Sequence, residues 1–448
     1  MQRWLKFAKY LPQYGWEPVI YTPENPEANT TDEALLKDIP SGTEVIKTKI
    51  LEPYGFYKVL FGKGNTTDGG KHIKANIISS DNKSFTHKLS LFIRGNFFIP
   101  DPRCWWIRPS IKYLVKYLKE HPVDVIVSTG PPHSMHLIAK GVSKATGIRW
   151  IADFRDPWTE IFYFKHLNLS KWACRKHRKL EQSVLDSADA VVVVSPQVGA
   201  DFAKKTSTPV KLITNGFDYD DFIKVGSDLE QEGVEDSAFN LIHTGIFVDN
   251  GNPDHLWEVL GEKAAAEPQF KADLQIRLMG QVDDSILKGI DKAGLKDNLH
   301  NMGYRPHNEA VQLQKKAHVL LLPLRKEPEA AAILAGKFFE YLASGREILA
   351  FGPTYGELAR ALQETGSGTI VDFEDKESTR REINRMYSKF LKERESLSAG
   401  KCSRKGDSGA KGKYGGNEKN CGEENALSPA VMKYSRKYLT GEMVKLFE

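Results

Sequence analysis

Apolar residues follow two rhythms that alternate along the chain. Short runs rich in Val and Ile, "EPVIYTP", "EVIKTKI", "VDVIVSTG", "IRWIADF", "ADAVVVVS" and "VKLITNG", read as strands. Between most of them lie stretches with helical spacing, such as "PSIKYLVKYLKEH" and "HSMHLIAKGVSKA". This alternation predicts a parallel sheet covered on both faces. The start, "MQRWLKFAKYLPQYGWEPVIYTPE", reads as a helix that enters a strand. Its apolar positions are Trp4, Leu5, Phe7, Ala8 and Leu11, with Arg3, Lys6 and Lys9 opposite. The pattern breaks from about Pro53 to Trp106. There "GKGNTTDGGKHIKANIISSDNKS" reads as a mobile polar loop. The following "LSLFIRGNFFIPDPRCWW" is aromatic, and suits either a cover over the sheet or a surface for a greasy ligand.

A second alternation follows the acidic, aperiodic "FDYDDFIKVGSDLEQEGVEDS". Its strands are "FNLIHTG", "LQIRLMG", "LHNMGY", "HVLLLPL", "EILAFG" and "GTIVDF". The expected organisation is α/β: a doubly wound domain over 1–218, a linker at 219–238 and a second such domain at 239–396. Residues 397–426 are low-complexity Gly, Lys, Ser and Glu, which bury too little apolar surface to order themselves. The last stretch, 427–448, is helical, and its apolar Val431, Tyr434 and Tyr438 need cover.

Composition changes this picture little. The 448 residues suit two large domains. No stretch approaches the roughly 20 apolar residues of a membrane span. The first helix is too polar and too evenly charged for a signal peptide. Cys104, Cys174, Cys402 and Cys421 are scattered, which argues against a disulfide framework or structural zinc and suits a cytoplasmic location. Net charge is only +5, but "KWACRKHRKL" gathers Lys171, Arg175, Lys176, Arg178 and Lys179 on one helix. That face is either simply solvated or a contact for anionic lipid head groups. No stacking platform accompanies it, so nucleic acid is not an expected partner.

Standard nucleotide signatures fail. No strand is followed by GxGxxG, and "GNTTDGGKH" misses a Walker A loop by one residue, with His72 in place of the hydroxyl. No GxSxG elbow is present. The informative segment is "GKFFEYLASGREILAFGP". A Gly-Lys pair opens a helix, and Lys337 and Glu340 share a face at i,i+3. A helix N-terminus favours an anion, so a nucleoside diphosphate fits: amides and Lys337 on phosphates, Glu340 on two ribose hydroxyls. A plain surface ion pair has the same spacing.

That segment resembles the "K-[LF]-x-E-Y-L-A-x-G-[KR]-P-[IV]-L-A" signature of retaining glycosyltransferases of family 4. "GYRPHNEAVQLQKKAHVLLLPL" and "HTGIFVDNGNPDHLWEVL" resemble the neighbouring donor-domain segments, and "IADFRDPWTE" and "ADAVVVVSPQV" resemble the acceptor domain of the branch that decorates bacterial surface polysaccharides. The resemblance implies the GT-B fold, two Rossmann-like domains with a nucleotide-sugar in the cleft between them. It implies metal-independent transfer with retention to a lipid-linked or polysaccharide acceptor. The expected location is cytoplasmic, and the basic helix is what would attach the chain to the inner face of the plasma membrane. Glu340 matches the ribose-binding glutamate, Lys337 a basic position at the phosphates, Thr244 and Gly245 the diphosphate loop, and Gly303 and Tyr304 the nucleobase position. Arg155 and Asp156 fall at a strand end facing the acceptor side, as does His133. Asp156 before Pro157 would also suit a helix N-cap, and His133 could merely cap the next helix.

The chain departs from the family pattern. Ala332 stands where a first glutamate is usual, with Glu329 nearby, and Glu347 replaces a proline. The Arg/Lys pair after the first donor loop is not evident. The family's first strand and glycine-rich loop would precede Met1, so the resemblance implies that the N-terminal sheet lacks a central strand. It also implies that the C-terminal helix crosses back onto the N-terminal domain. No DxD-like pair is expected at a donor strand end, Asp283-Asp284 lying at a helix start. A sugar-nucleotide epimerase or hydrolase on the same scaffold, or a non-catalytic remnant, are the alternative readings.

Overall fold

The computed structural model describes residues 2–26, 33–51, 92–93, 95–161, 164, 167–223, 237–404 and 427–448. The expected mobile loop at 62–84 and most of the aromatic excursion before Phe92 lie outside them. Contacts divide the chain into two compact units, Met1–Thr214 with Arg436–Glu448, and Asn215–Ser435.

The first unit holds two parallel sheets. One pairs β1 (Val19–Pro23) with β2 (Glu44–Thr48). The other has four strands in the order β3 (Val125–Gly130), β4 (Arg149–Phe154), β5 (Ala190–Val193) and β6 (Val210–Leu212). Strand side chains alternate between two apolar clusters. Trp150, Ala152, Phe154, Val191 and Val193 face one way. Ile151, Ala190 and Val192 face the other, against Phe7 and Leu11 of the N-terminal segment and Leu439, Met443 and Phe447 of the C-terminal one.

The helix Gln2–Tyr10 is anchored by polar groups as well as by its apolar face. Asp153, wholly buried at the end of β4, accepts from Arg3 Nε at 3.3 Å and Nη2 at 3.1 Å, Trp4 Nε1 at 2.7 Å and Thr129 Oγ1 at 2.9 Å. Arg3 also donates to the carbonyls of Ile213 and Thr214. One buried ion pair therefore joins helix, β4 and the chain after β6.

The second unit has one parallel sheet. Its strands are β7 (Phe239–Thr244), β8 (Leu274–Met279), β9 (Leu299–Gly303), β10 (Val319–Pro323), β11 (Glu347–Phe351) and β12 (Gly368–Val371). They lie in the order β12-β11-β10-β7-β8-β9, where β10 and β7 are neighbours without being consecutive in sequence. Every residue of β7 is buried, as a strand covered on both faces requires. Leu241, Leu321 and Leu349 pack with Trp257 and Ile290 on one face, whereas Ile242, Leu320 and Ile348 pack with Phe338 and Leu342 on the other.

Three boundaries differ from the expectation. Residues Tyr219–Ile223 form a short helix rather than linker. The helix Lys376–Arg404 continues into the stretch expected to be low-complexity, whose remainder, 405–426, lies outside the described residues. The C-terminal stretch is two helices, Pro429–Met432 and Arg436–Val444, which divide their packing. Val431 and Tyr434 cover Phe338 and Phe339 in the second unit, and Phe217 N–H donates to Tyr434 O at 3.1 Å. Leu439 and Met443 cover the first unit instead, because the chain turns at 433–435 and presents a new face. Tyr438 is largely exposed.

Removing Arg3 strands a buried carboxylate. Arg3→Met is expected to destabilise the first unit by roughly 3–5 kcal/mol. Hydrogen exchange is expected to show faster opening of β4 with β7 unchanged; equal protection of β4 in both proteins would show that the pair is not what holds the helix.

Candidate functional site

In the second unit the polar groups gather where β7 ends. Strand β10 pairs with β7 only at Leu241 and Ile242, so the Thr244 N–H lies beyond that ladder. The Tyr341 hydroxyl accepts it at 3.0 Å, from the helix Gly336–Ser344. Gly245 follows with φ +132°, a conformation that side chains rarely adopt, and a Cβ there would lie 3.1 Å from Lys337 Cε. Its N–H donates to Met279 O at 2.8 Å. A Cβ on Gly280 would overlap the Gly245 carbonyl, and Gly280 N–H donates to Gly303 O at 2.7 Å. The ends of β7, β8 and β9 are thus in backbone contact.

The helix Gly336–Ser344 buries Phe338, Phe339, Tyr341 and Leu342 and turns Lys337 and Glu340 outward. Lys337 Nζ lies 2.7 Å from Glu340 Oε2, with both side chains about a third exposed. Ala335 precedes the helix and offers no side-chain cap, so the first-turn amides lack a side-chain acceptor. Behind the pair, the wholly buried Gln314 of the helix His307–Lys315 donates through Nε2 to Thr244 Oγ1 at 2.9 Å and to Glu340 Oε2 at 3.4 Å. His243 Nδ1 sits 3.0 Å from the Leu321 carbonyl and must carry the proton that bond requires. Its Nε2 then keeps a lone pair, buried and without a partner. Burial pushes the His243 pKa down to about 4 and that of Tyr341 up to about 12, so both are neutral at pH 7.

Thr244, Gly245, Lys337 and Glu340 therefore converge, and Gly303 joins them through Gly280. Tyr304 is 89% exposed, its ring in solvent beyond β9. Glu329 is exposed on the short helix Pro328–Ala332. Sequence reading missed Gln314, Tyr341 and His243, which come from separate elements and meet only through the sheet register. Chemically the group offers one mobile cation, one carboxylate and a set of backbone amides: partners for phosphates and for hydroxyls.

In the first unit His133, Arg155 and Asp156 lie beyond β3 and β4. His133 does not cap the helix Ser134–Thr146; Asp101 does, accepting from Ser134 N at 2.8 Å and Ser134 Oγ at 2.7 Å. Burial pushes the Asp101 carboxyl up. The His133 ring stacks on Trp158 at 4.5 Å, its Nδ1 buried without a partner. His136 is held beneath it, Nδ1 2.8 Å from Ser128 Oγ. Burial drives both imidazoles to the neutral form, His136 to about 3. Arg155 donates to Pro131 O, and Asp156 is exposed. No helix begins at Pro157, so Asp156 is not an N-cap; the chain forms bends there.

Residues 77–221 match the family model Glycosyltransferase Family 4. A glycosyltransferase from Rickettsia africae ESF-5 is similar in structure over 100% of this chain and 93% of its own, at 13% identity and a TM-score of 0.55. Sucrose-phosphate synthase from Thermosynechococcus elongatus is similar over 99% of this chain and 91% of its own, at 14% identity and a TM-score of 0.54. These likenesses show the fold, GT-B with two Rossmann-like units. No curated protein has significant sequence similarity to the chain.

Because His136 is neutral when folded and an unfolded histidine titrates near 6.5, the unfolded state binds more protons below that pH. Stability is lost as pH falls from about 6.5 toward about 3, and at pH 5 this one group accounts for roughly 2 kcal/mol. Denaturant unfolding of the first unit at pH 7 and pH 5 is expected to show at least this slope, and His136→Gln to reduce it, with buried His133 and His177 still contributing. A slope of the same size in both proteins would refute the assignment.

Proposed function

We propose that this glycosyltransferase moves a sugar from a nucleotide-sugar to a glycan or lipid-linked acceptor, with retention, in cell-surface polysaccharide synthesis at the cytoplasmic face. The observation that carries the reading is the Lys337–Glu340 pair over Gly245, at the strand ends of a Rossmann-like unit in a chain with a Glycosyltransferase Family 4 match. The donor diphosphate takes Lys337 and the uncapped amides of its helix, and Gly245 lets backbone approach the phosphates. Glu340 accepts from the ribose hydroxyls. Gly303 and Tyr304 face the base. In the first unit His133, Arg155 and Asp156 serve the acceptor and the reacting centre, His133 as a neutral imidazole. The proposed transfer needs no divalent cation, a reading supported by Asp283 Oδ1 accepting from Ser285 N–H at 3.0 Å as a helix cap, with Asp284 the first residue of that helix.

A thermal-shift panel of nucleoside diphosphates in EDTA tests this, because a ligand that binds only the native state raises its melting temperature. Glu340→Ala is expected to weaken binding by roughly 1–3 kcal/mol. Unchanged affinity would return the pair to an ordinary surface contact. Steady formation of an epimer from a nucleotide-sugar without acceptor would favour a different enzyme class.

The acceptor side carries a surface suited to anionic lipid. Phe97 is 71% exposed, Trp105 52% and Trp172 59%. Trp172 opens the basic helix Lys171–Leu185, with Lys176 Nζ 4.8 Å from its ring centroid. Lys176 also acts electrostatically on Cys104, next to Trp105. Exposed aromatics beside cations suit the interfacial layer of a membrane. Co-sedimentation with phosphatidylglycerol vesicles, but not with phosphatidylcholine vesicles, is expected, reduced by Trp172→Ala and by added salt. Equal recovery with both vesicle types would remove the membrane from the proposal.

A further inference from the structure

The Lys337–Glu340 pair poses a problem of geometry. Glu340 is about a third exposed, and so is its i,i+3 partner. Such a pair does little to fix the direction of a carboxylate. Gln314 is different. It is wholly buried, and its Nε2 is held by Thr244 Oγ1 at 2.9 Å. Thr244 is in turn held by Tyr341. The same Nε2 reaches Glu340 Oε2 at 3.4 Å, so one oxygen of the carboxylate is tied to the core.

Oε2 has two acceptor positions, facing Gln314 and Lys337. When Lys337 turns to a phosphate, it vacates one of them. Gln314 still holds the other, and neither bond engages Oε1. A carboxylate fixed in this way offers one acceptor on each oxygen to two adjacent hydroxyls. Gln314 Oε1 meanwhile is buried without a partner. An apolar side chain would fill the same volume without stranding an acceptor, so the amide N–H is what distinguishes glutamine here.

We propose that Gln314 is a positioning residue that aims Glu340 at a vicinal diol and thereby makes the site prefer ribonucleotides to 2′-deoxyribonucleotides. The inference rests on the nucleotide-sugar reading above. A deoxy ligand leaves one aimed oxygen without a donor, and sites built around a ligand hydroxyl discriminate strongly against its absence.

Calorimetric titration of the full chain with UDP, GDP and ADP, each beside its 2′-deoxy form, and with inorganic pyrophosphate is the test. For whichever nucleotide binds, the ribo form is expected to be favoured on the order of tenfold or more. Gln314→Leu and Gln314→Met are both expected to bring that ratio to within about threefold while pyrophosphate binds as before. The longer, unbranched methionine keeps the test available should the leucine variant fold poorly. A ratio preserved in either folded variant overturns the proposal. So does a parallel loss of pyrophosphate and nucleotide affinity, which marks a merely structural role. Failure of every nucleotide to bind the unaltered chain would instead remove the nucleotide-sugar reading, and this inference with it.

Discussion

The position of one phenol governs the second unit. Tyr341 accepts the Thr244 N–H where the ladder between β7 and β10 has stopped. Its ring is buried in the same apolar cluster as Phe338 and Ile348. This single bond sets the separation between a central strand and the helix that bears Lys337 and Glu340. Lys337 Cε can lie over Gly245, and Gln314 can bridge Thr244 and Glu340, only at that separation. Losing the hydroxyl would leave a buried amide unpaired, at a cost of about 1–3 kcal/mol. It would also release the helix from the strand end.

The first unit solves a similar problem with charge. Asp153 stands at a strand end as Thr244 does, but it is an ion in the interior. Its charge is tolerable because Arg3, Trp4 and Thr129 all donate to it, replacing the water it has lost. The aromatic and histidine cluster nearby contributes no charge at neutral pH. His136 packs on Phe154 at 4.4 Å and His133 on Trp158 at 4.5 Å, each neutral because it is buried. One strand end thus holds a buried ion pair near neutral, buried imidazoles. The other holds an ion pair at the surface, where it can open.

Architecture was legible because sheets buried on both faces leave continuous Val/Ile runs, and every strand named from those runs is present. Lys337 and Glu340 were legible because one helical turn joins them. What stayed hidden depends on register between distant segments. Gln314 lies 26 residues before Glu340, on a helix on the other side of β10 in the sequence, so only the packed fold brings them together. The cap on Ser134 comes from Asp101, 33 residues away, so the adjacent His133 was an attractive but mistaken candidate. Asp156-Pro157 looks like a helix start, yet the chain there bends without one. The stretch before Arg404 looked disordered by composition, but it continues a helix that begins at Lys376.

Stability alone does not account for the end of β7. A Lys–Glu pair a third exposed contributes about 1 kcal/mol at most. Around it the chain accepts features that destabilise a fold. The helix Gly336–Ser344 has no side-chain cap, Gly245 takes a positive φ, and His243 Nε2 and Gln314 Oε1 are buried without partners. The uncapped helix and the two orphaned buried atoms each cost on the order of 1 kcal/mol or more by the usual measures. A core selected only for stability would put a serine before the helix and a hydrocarbon in place of the glutamine. The same features become favourable when an anion meets the uncapped amides, backbone approaches it past Gly245, and hydroxyls meet the waiting acceptors. At the end of β7 these features lie beside the Lys337–Glu340 pair, as a preorganised binding site requires.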